Sequence, residues 1–245
     1  MSGTLALADR VLYRDGLVLV LDKPAGFAVH KGPGDGPDLE RGFAALRFGL
    51  PRSPALAHRL DRDTSGCLVL GRHKQALRRL GTLFAEGKVE KLYWAVVAGR
   101  PARDAGRIET GLKKLSRGSG WRMVIDPQGP MAITEYRVLG TADQRTWLEL
   151  RPRTGRTHQI RVHCAALGCP VVGDQVYGSA ACGPMLLHSR AVGLPLYPSR
   201  PPILVTAPPP PHIEAVLVGL GYDPGQRDRE EQTAGPSTPQ LMLTR

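Results

Sequence analysis

Cysteine is scarce: Cys67, Cys164, Cys169 and Cys182 are the only four in 245 residues, and no two have the Cys-x-x-Cys spacing of a zinc or dithiol redox site. Reduced thiols are therefore expected. The grouping His163, Cys164, Cys169 and His188 matches no ligand pattern, so no metal is expected. Long apolar runs are also missing. No stretch nears the roughly 18 uninterrupted apolar residues of a membrane span, and the N-terminus lacks a signal-peptide core, which points to a cytoplasmic protein. Arg10 and Arg14 do not make a transit peptide, because Asp9 and Asp15 lie among them. A Gly-x-Ser-x-Gly elbow is absent, which leaves a serine-nucleophile hydrolase without support. No repeat of solenoid period is present.

Acidic residues are in deficit. Lys and Arg number 33 against 22 Asp and Glu, giving a formal charge of +11 and a pI near 10.0. Such a balance favours a polyanionic partner, nucleic acid first, through phosphate neutralisation. A solvated basic surface would carry the same charge, so composition alone does not assign the partner. The 42% hydrophobic content is enough for one large or two modest cores.

Leu17-Val18-Leu19-Val20-Leu21 reads as a buried strand stopped by Lys23-Pro24-Ala25-Gly26. Fewer than about 20 residues precede it, too few for a separate N-terminal domain. Further strands are expected at Cys67 to Leu70, Lys91 to Ala98, Ile133 to Leu139 and Trp147 to Leu150, making a mostly antiparallel sheet. Helical spacing runs from Gln75 to Phe84, with Gly87 as its stop, and again from about Thr157 to Leu167, ended by Gly168 and Pro170. The second helix would carry His158 and Arg161 on one side, with Ile160 and Cys164 facing the core. Beyond Leu196 the chain is Pro-rich, then briefly amphipathic around Ile213, Val216 and Leu217. These marks bound an expected folded domain over 11–222 and a disordered tail over 223–245, whose composition cannot offset the entropy of ordering it.

Two segments are dense in chemistry. His58-Arg59-Leu60-Asp61-Arg62-Asp63-Thr64-Ser65-Gly66 sets two carboxylates, two guanidiniums and an imidazole directly before a buried strand, which can hold a reactive group rigidly over a cleft. A polar turn capping its own amides would look similar. Asp61 and Asp63 do not suit a glycoside hydrolase, since carboxylates two residues apart rarely flank a sugar from opposite sides. The run Arg151 to His163 places four Arg and two His around a helix start, where cations and free amides suit phosphate, and an inward Arg would hold a carboxylate ionised. A solvated basic face is the plainer account of it.

Residues 58–66 match the His-Arg-Leu-Asp-x-x-Thr-Ser-Gly motif of the RluA-type family of pseudouridine synthases, and the chain resembles that family from about residue 11 to 210. Leu21-Asp22-Lys23-Pro24-Ala25-Gly26, Lys91-Leu92-Tyr93-Trp94-Ala95, Arg153 to His163, Val172 to Gly178 and Leu186-Leu187-His188-Ser189 agree in the same order. The resemblance implies an α+β catalytic domain, with a mixed, mostly antiparallel bent sheet flanked by helices around a central cleft. It implies an isomerase that turns specific uridines of ribosomal or transfer RNA into pseudouridine, chemistry that needs no cofactor; no obligate protein partner is evident in the sequence, and action as a monomer is the simpler expectation. It makes Asp61 the catalytic carboxylate and leaves Asp63 incidental. Tyr93 would stack on the target base, Arg161 would pair with Asp61, Arg59 would fill the space of the flipped nucleotide, and Leu187 or Leu186 would form an apolar floor. Two rival readings are a noncatalytic RNA-binding protein, against which the intact Asp61, Tyr93 and Arg161 speak, and an RNA hydrolase, which lacks a paired acid and base or a metal cluster.

Overall fold

The computed structural model describes residues 6–30, 38–118, 120–178 and 183–225. Among these residues eleven strands form one sheet: β1 (Val11–Arg14), β2 (Val18–Lys23), β3 (Ala55–Leu56), β4 (Ser65–Gly71), β5 (Glu90–Ala98), β6 (Ala105–Arg117), β7 (Gly120–Ile125), β8 (Met131–Ala142), β9 (Arg145–Pro152), β10 (Leu187–Leu194) and β11 (Ile203–Thr206). Their order is β1-β2-β4-β10-β5-β9-β8-β6-β7, with β3 beside β4 and β11 beside β10. Among the described residues β4 and β10 pair in parallel, His188 against Ser65 and Ser189 against Gly66, and the other named ladders are antiparallel. Among the described residues three α-helices accompany the sheet: α1 (Lys74–Ala85), α2 (Gln159–Ala166) and α3 (Pro211–Gly219). Two 3-10 segments, Leu7–Arg10 and Glu40–Leu46, complete it.

The run at Leu17 to Leu21 is apolar at every position because both faces of β2 are covered. Leu19 and Leu21 pack with Leu68, Leu70, Tyr93, Leu150 and Leu187, whereas Val18 and Val20 pack with Cys67, Val69 and Leu80 of α1. The period of two continues along β5, where Tyr93, Ala95 and Val97 join the first core and Val96 meets Trp147, Ile213 and Leu217 of α3 on the other. The first face, closed by Ile160 and Cys164 of α2 and by Phe43 and Leu46, is the one that carries the cleft. Cys67, Cys164 and Cys169 are buried free thiols; Cys182 lies outside the described residues.

The strands expected from the sequence all form, with boundaries shifted by a few residues. α1 begins at a His73 cap, whose Nδ1 accepts the Ala76 amide at 3.3 Å, and ends before Gly87 at φ +67°. α2 is shorter than expected. It begins at Gln159 because His158 takes a left-handed conformation, φ +52°, and so precedes the helix. The α3 stretch is helical as its pattern implied, and the tail expected from 223 lies outside the described residues beyond Gly225. Among the described residues no helix is long and apolar enough to cross a membrane.

Candidate active site

Asp61 lies on the loop between β3 and β4, where the chain turns into a fully buried strand start. The Thr64 amide donates to the Asp61 carbonyl at 3.2 Å to close the turn, and Thr64 and Ser65 are buried. Lys23, at the end of β2, supports the turn from beneath. It is fully buried, and its Nζ donates to the carbonyls of Pro24, Phe27 and Arg62, each at 2.8 Å, while the Gly26 amide donates to Arg62 O at 3.0 Å. Burial lowers the Lys23 pKa to about 7, against the pull of Asp63, Asp61 and Asp22. Three carbonyl acceptors match the three hydrogens of an ammonium, so the geometry is that of the charged form.

Arg161 reaches Asp61 from α2. Its Nη1 donates to Asp61 Oδ2 at 3.1 Å, and its Nε and Nη2 form a fork onto Asp174, at 2.7 Å to Oδ2 and 2.8 Å to Oδ1. Burial opposes the guanidinium charge, but Asp174 and Asp61 outweigh it and hold the Arg161 pKa above the ordinary arginine value. Asp174 is buried, which pushes its carboxyl up; Arg161 and the amides of Val176 and Tyr177, at 2.9 and 3.1 Å, hold it below the ordinary value nonetheless. His158, whose left-handed backbone sets it just ahead of α2, brings Nε2 to 3.9 Å from Asp61 Oδ2. Its Nδ1 meets the Tyr177 hydroxyl at 2.9 Å, and burial lowers its pKa, favouring the neutral ring. His158 and Arg161 thus do converge, although from a loop and a helix rather than from one helix face.

The helix start itself is tied down by Gln159. Its Oε1 accepts from Thr154 Oγ1 (2.7 Å) and the Arg156 amide (3.0 Å), and its Nε2 donates to Ile133 O and Thr134 Oγ1, both at 2.9 Å. The basic run is therefore less free than its charge suggested. Arg151 pairs with Glu149 at 3.1 Å, Arg153 with Glu135 at 2.7 Å, and Arg156 Nε donates to Met131 O at 3.1 Å. The sequence reading of a phosphate site made of free cations and free amides is corrected to this extent, since glutamates on β8 and β9 neutralise part of it.

Asp61, Tyr93, Arg161, Leu187 and Arg59 all line one cleft of about 1020 Å³. Tyr93 of β5 and Leu187 of β10 are 8% and 3% exposed. Burial, and then the charge of Asp61, push the Tyr93 hydroxyl above its ordinary pKa, so it stays protonated. Leu187 joins the core on the cleft side, while Leu186 packs on the opposite face with Val96 and Trp147. That parity separates the two leucines the sequence left as alternatives. Arg59 is exposed on the cleft wall, its Nη1 at 3.4 Å from His30 Nε2. His163 and His188 are taken up elsewhere: His163 Nδ1 meets Thr134 Oγ1, and His188 lies between Ser65 Oγ and Ala207 O. Sequence reasoning gave no role to Asp174, Tyr177 or Trp121. The first two lay in a motif stretch already noted, and an aspartate in a Gly-flanked turn carries no signal of a partner 13 residues away.

A carboxylate held by a guanidinium, in a cleft with an aromatic ring and an apolar wall, suits a planar substrate brought edge or face to one oxygen. The comparisons with known proteins agree. The RNA pseudouridylate synthase family profile matches residues 17–166. An uncharacterized RNA pseudouridine synthase of Zymomonas mobilis is 43% identical over 221 residues, covering 88% of this chain and 99% of that protein. A ribosomal large subunit pseudouridine synthase C of Rickettsia felis is 34% identical over 193 residues, 76% of this chain and 63% of its own length. Some relatives are much longer, the chain spanning 40% of a mitochondrial RNA pseudouridine synthase 4 of Arabidopsis thaliana, to which it is 42% identical. Among solved structures, human RNA pseudouridylate synthase domain containing 4 superposes with a TM-score of 0.73 at 25% identity, over 87% of this chain and 93% of that one. The chain belongs to the RluA-type family of RNA pseudouridine synthases, isomerases that act on uridines in RNA.

Proposed function

We propose that Asp61 is the catalytic carboxylate of this isomerase and that its substrates are uridines of ribosomal RNA, transfer RNA or both. The observation that carries the reading is the 3.1 Å bond from Arg161 to Asp61 within the cleft, with Tyr93 and Leu187 on the same walls. Pseudouridine formation breaks the bond between C1′ and N1, turns the uracil and rejoins it through C5, with no net redox change. Asp61 supplies the carboxylate by attack on C1′, by addition at C6 or by removal of a ribose proton. Extruding the base costs a few kcal/mol, which Tyr93 offsets by stacking and Arg59 by occupying the vacated place in the RNA. Arg161 orients Asp61, and Leu187 forms the apolar floor. We take residues 11–222 as the catalytic domain, acting as a monomer in the cytoplasm.

The test is release of tritium from RNA labelled at uridine C5, using transfer and ribosomal RNA from a strain that lacks the protein. Wild type releases tritium and Asp61→Asn does not, while both bind RNA alike. Release by both proteins refutes the assignment of Asp61; release by neither, with binding intact, favours a noncatalytic RNA-binding protein.

A further inference from the structure

Beside the Asp61 site stands an aromatic side chain for which the assigned roles have no use. Trp121, on the β6–β7 hairpin, is 45% exposed, whereas Trp147 in the opposite core is 7% exposed. Its ring stacks on His158, with centroids 4.9 Å apart and planes at 22°. His158 in turn holds Nε2 at 3.9 Å from Asp61, so one imidazole separates Trp121 from the carboxylate. Lys114 Nζ lies 4.8 Å from the Trp121 centroid, and Arg122 is exposed next to it in sequence. The Tyr177 hydroxyl accepts the Met123 amide at 2.9 Å, fixing β7 against the cleft wall.

We propose that Trp121 is a second base-stacking platform, which receives a nucleobase adjacent to the flipped uridine and so contributes to choosing the RNA sequence modified. The inference rests on the proposed uridine site beside it. An indole that gains little burial in the hairpin, flanked by two exposed cations, has the chemistry of a single-stranded RNA contact, in which rings hold bases and cations hold phosphates. A protein partner would also accept an exposed indole. RNA is favoured because Trp121 lines the same cleft as Asp61, and a cleft of about 1020 Å³ is at the upper end of the roughly 300–1,000 Å³ that a drug-sized ligand needs, leaving room beyond one base. Lys114, exposed and mobile on its long stem, can move from the ring to a neighbouring phosphate as the base arrives.

The experiment pairs tritium-release kinetics with tryptophan fluorescence, on wild type, Trp121→Phe and Trp121→Ala, using total RNA from a strain lacking the protein as the probe. RNA quenches wild-type fluorescence, and Trp121→Phe loses that quenching, because Trp94 and Trp147 pack in the core on the other face. Trp121→Ala raises KM by roughly fivefold to a hundredfold, the range that base–aromatic stacking implies, with the larger part of the effect in KM; the phenyl ring of Trp121→Phe restores most of it. Unaltered quenching in Trp121→Phe overturns the proposal. So does a Trp121→Ala variant whose loss falls in kcat alone, since that makes Trp121 a prop for His158. Quenching by RNA without tritium release from wild type refutes the isomerase reading and leaves the platform standing.

Discussion

Arg161 is shared between two carboxylates, and replacing each by its amide separates the support of the site from its chemistry. Asp174 is 1% exposed and its carboxylate accepts four hydrogen bonds, from Arg161 Nε and Nη2 and from the Val176 and Tyr177 amides, at 2.7 to 3.1 Å. Asp174→Asn removes the charge and turns one acceptor into a donor facing the guanidinium. Removing one partner of a buried pair costs about 3–5 kcal/mol. The remaining amide oxygen still serves some of the donors, and Arg161 keeps Asp61, so the lower end, about 3 kcal/mol, is expected. For a domain of this size that lowers Tm by roughly 6–12 °C. Asp61 has 27% of its side chain exposed and makes a single 3.1 Å bond to a guanidinium that Asp174 already grips. Asp61→Asn therefore costs about 1 kcal/mol or less, a few degrees at most, yet stops turnover. Asp174→Asn keeps the reacting carboxylate but loosens its carrier, and kcat falls by about 10- to 100-fold. Thermal unfolding by circular dichroism and tritium release on the same preparations give both readouts. Equal losses of Tm in the two variants, or a Tm change below about 2 °C in Asp174→Asn, would refute the division of labour.

Leu187→Ala deletes a core side chain from the cleft wall and should cost about 2–5 kcal/mol by urea unfolding; a cost below about 1 kcal/mol would mean the wall closes over the gap. Gly66→Ala should reduce the soluble folded yield sharply. Gly66 has φ +102°, and a Cβ there would collide with the Ser189 carbonyl across the parallel β4–β10 pairing, so normal yield and Tm would contradict the register. Acid should weaken the fold through His163 and His188, whose pKa values burial lowers to about 4. Between pH about 6.5 and 4 the unfolded chain binds protons that the native rings refuse. Stability is then complete above about 6.5 and falls with pH at about 1.4 kcal/mol per pH unit per ring. Urea midpoints that do not change between pH 7 and 5 would refute this.

Where chemistry and core lie adjacent in the chain, the sequence was legible. The run 58–66 could be read as a candidate site because it abuts an apolar strand, with the family motif singling out Asp61 within it, and β2, β4 and β5 could be read because both their faces are buried. The β6–β7 hairpin was not read, because most of β7 is exposed and alternation has no core to report. β10 escaped for the opposite reason: it buries His188 and Ser189, which look like loop residues until Ser65 and Ala207 O are seen to satisfy the imidazole. Without β10 there was no parity to choose Leu187 over Leu186. Asp174 stayed hidden because its turn-capping bonds explain an aspartate there without any arginine.

The charge count pointed to nucleic acid, as the family bears out, but where the charges sit matters more than their sum. At the cleft, one guanidinium is divided between Asp61, which lines it, and Asp174, which is buried behind it, with Lys91 on the wall and Lys23 beneath the turn. Arg59, Arg62 and Arg156 are exposed along its lining, while Arg153 is offset by Glu135. A phosphate thus finds its exposed cations at the rim, whereas a neutral base finds Tyr93 and Leu187 inside. The same separation makes the salt dependence of binding a property of the rim. Substituting Asp61 by Asn should leave the slope of log K against log salt unchanged, while Arg62→Ala should reduce it by about one phosphate contact, roughly 0.7 to 0.9 in slope. An equal change of slope in both variants would mean that the backbone enters the cleft.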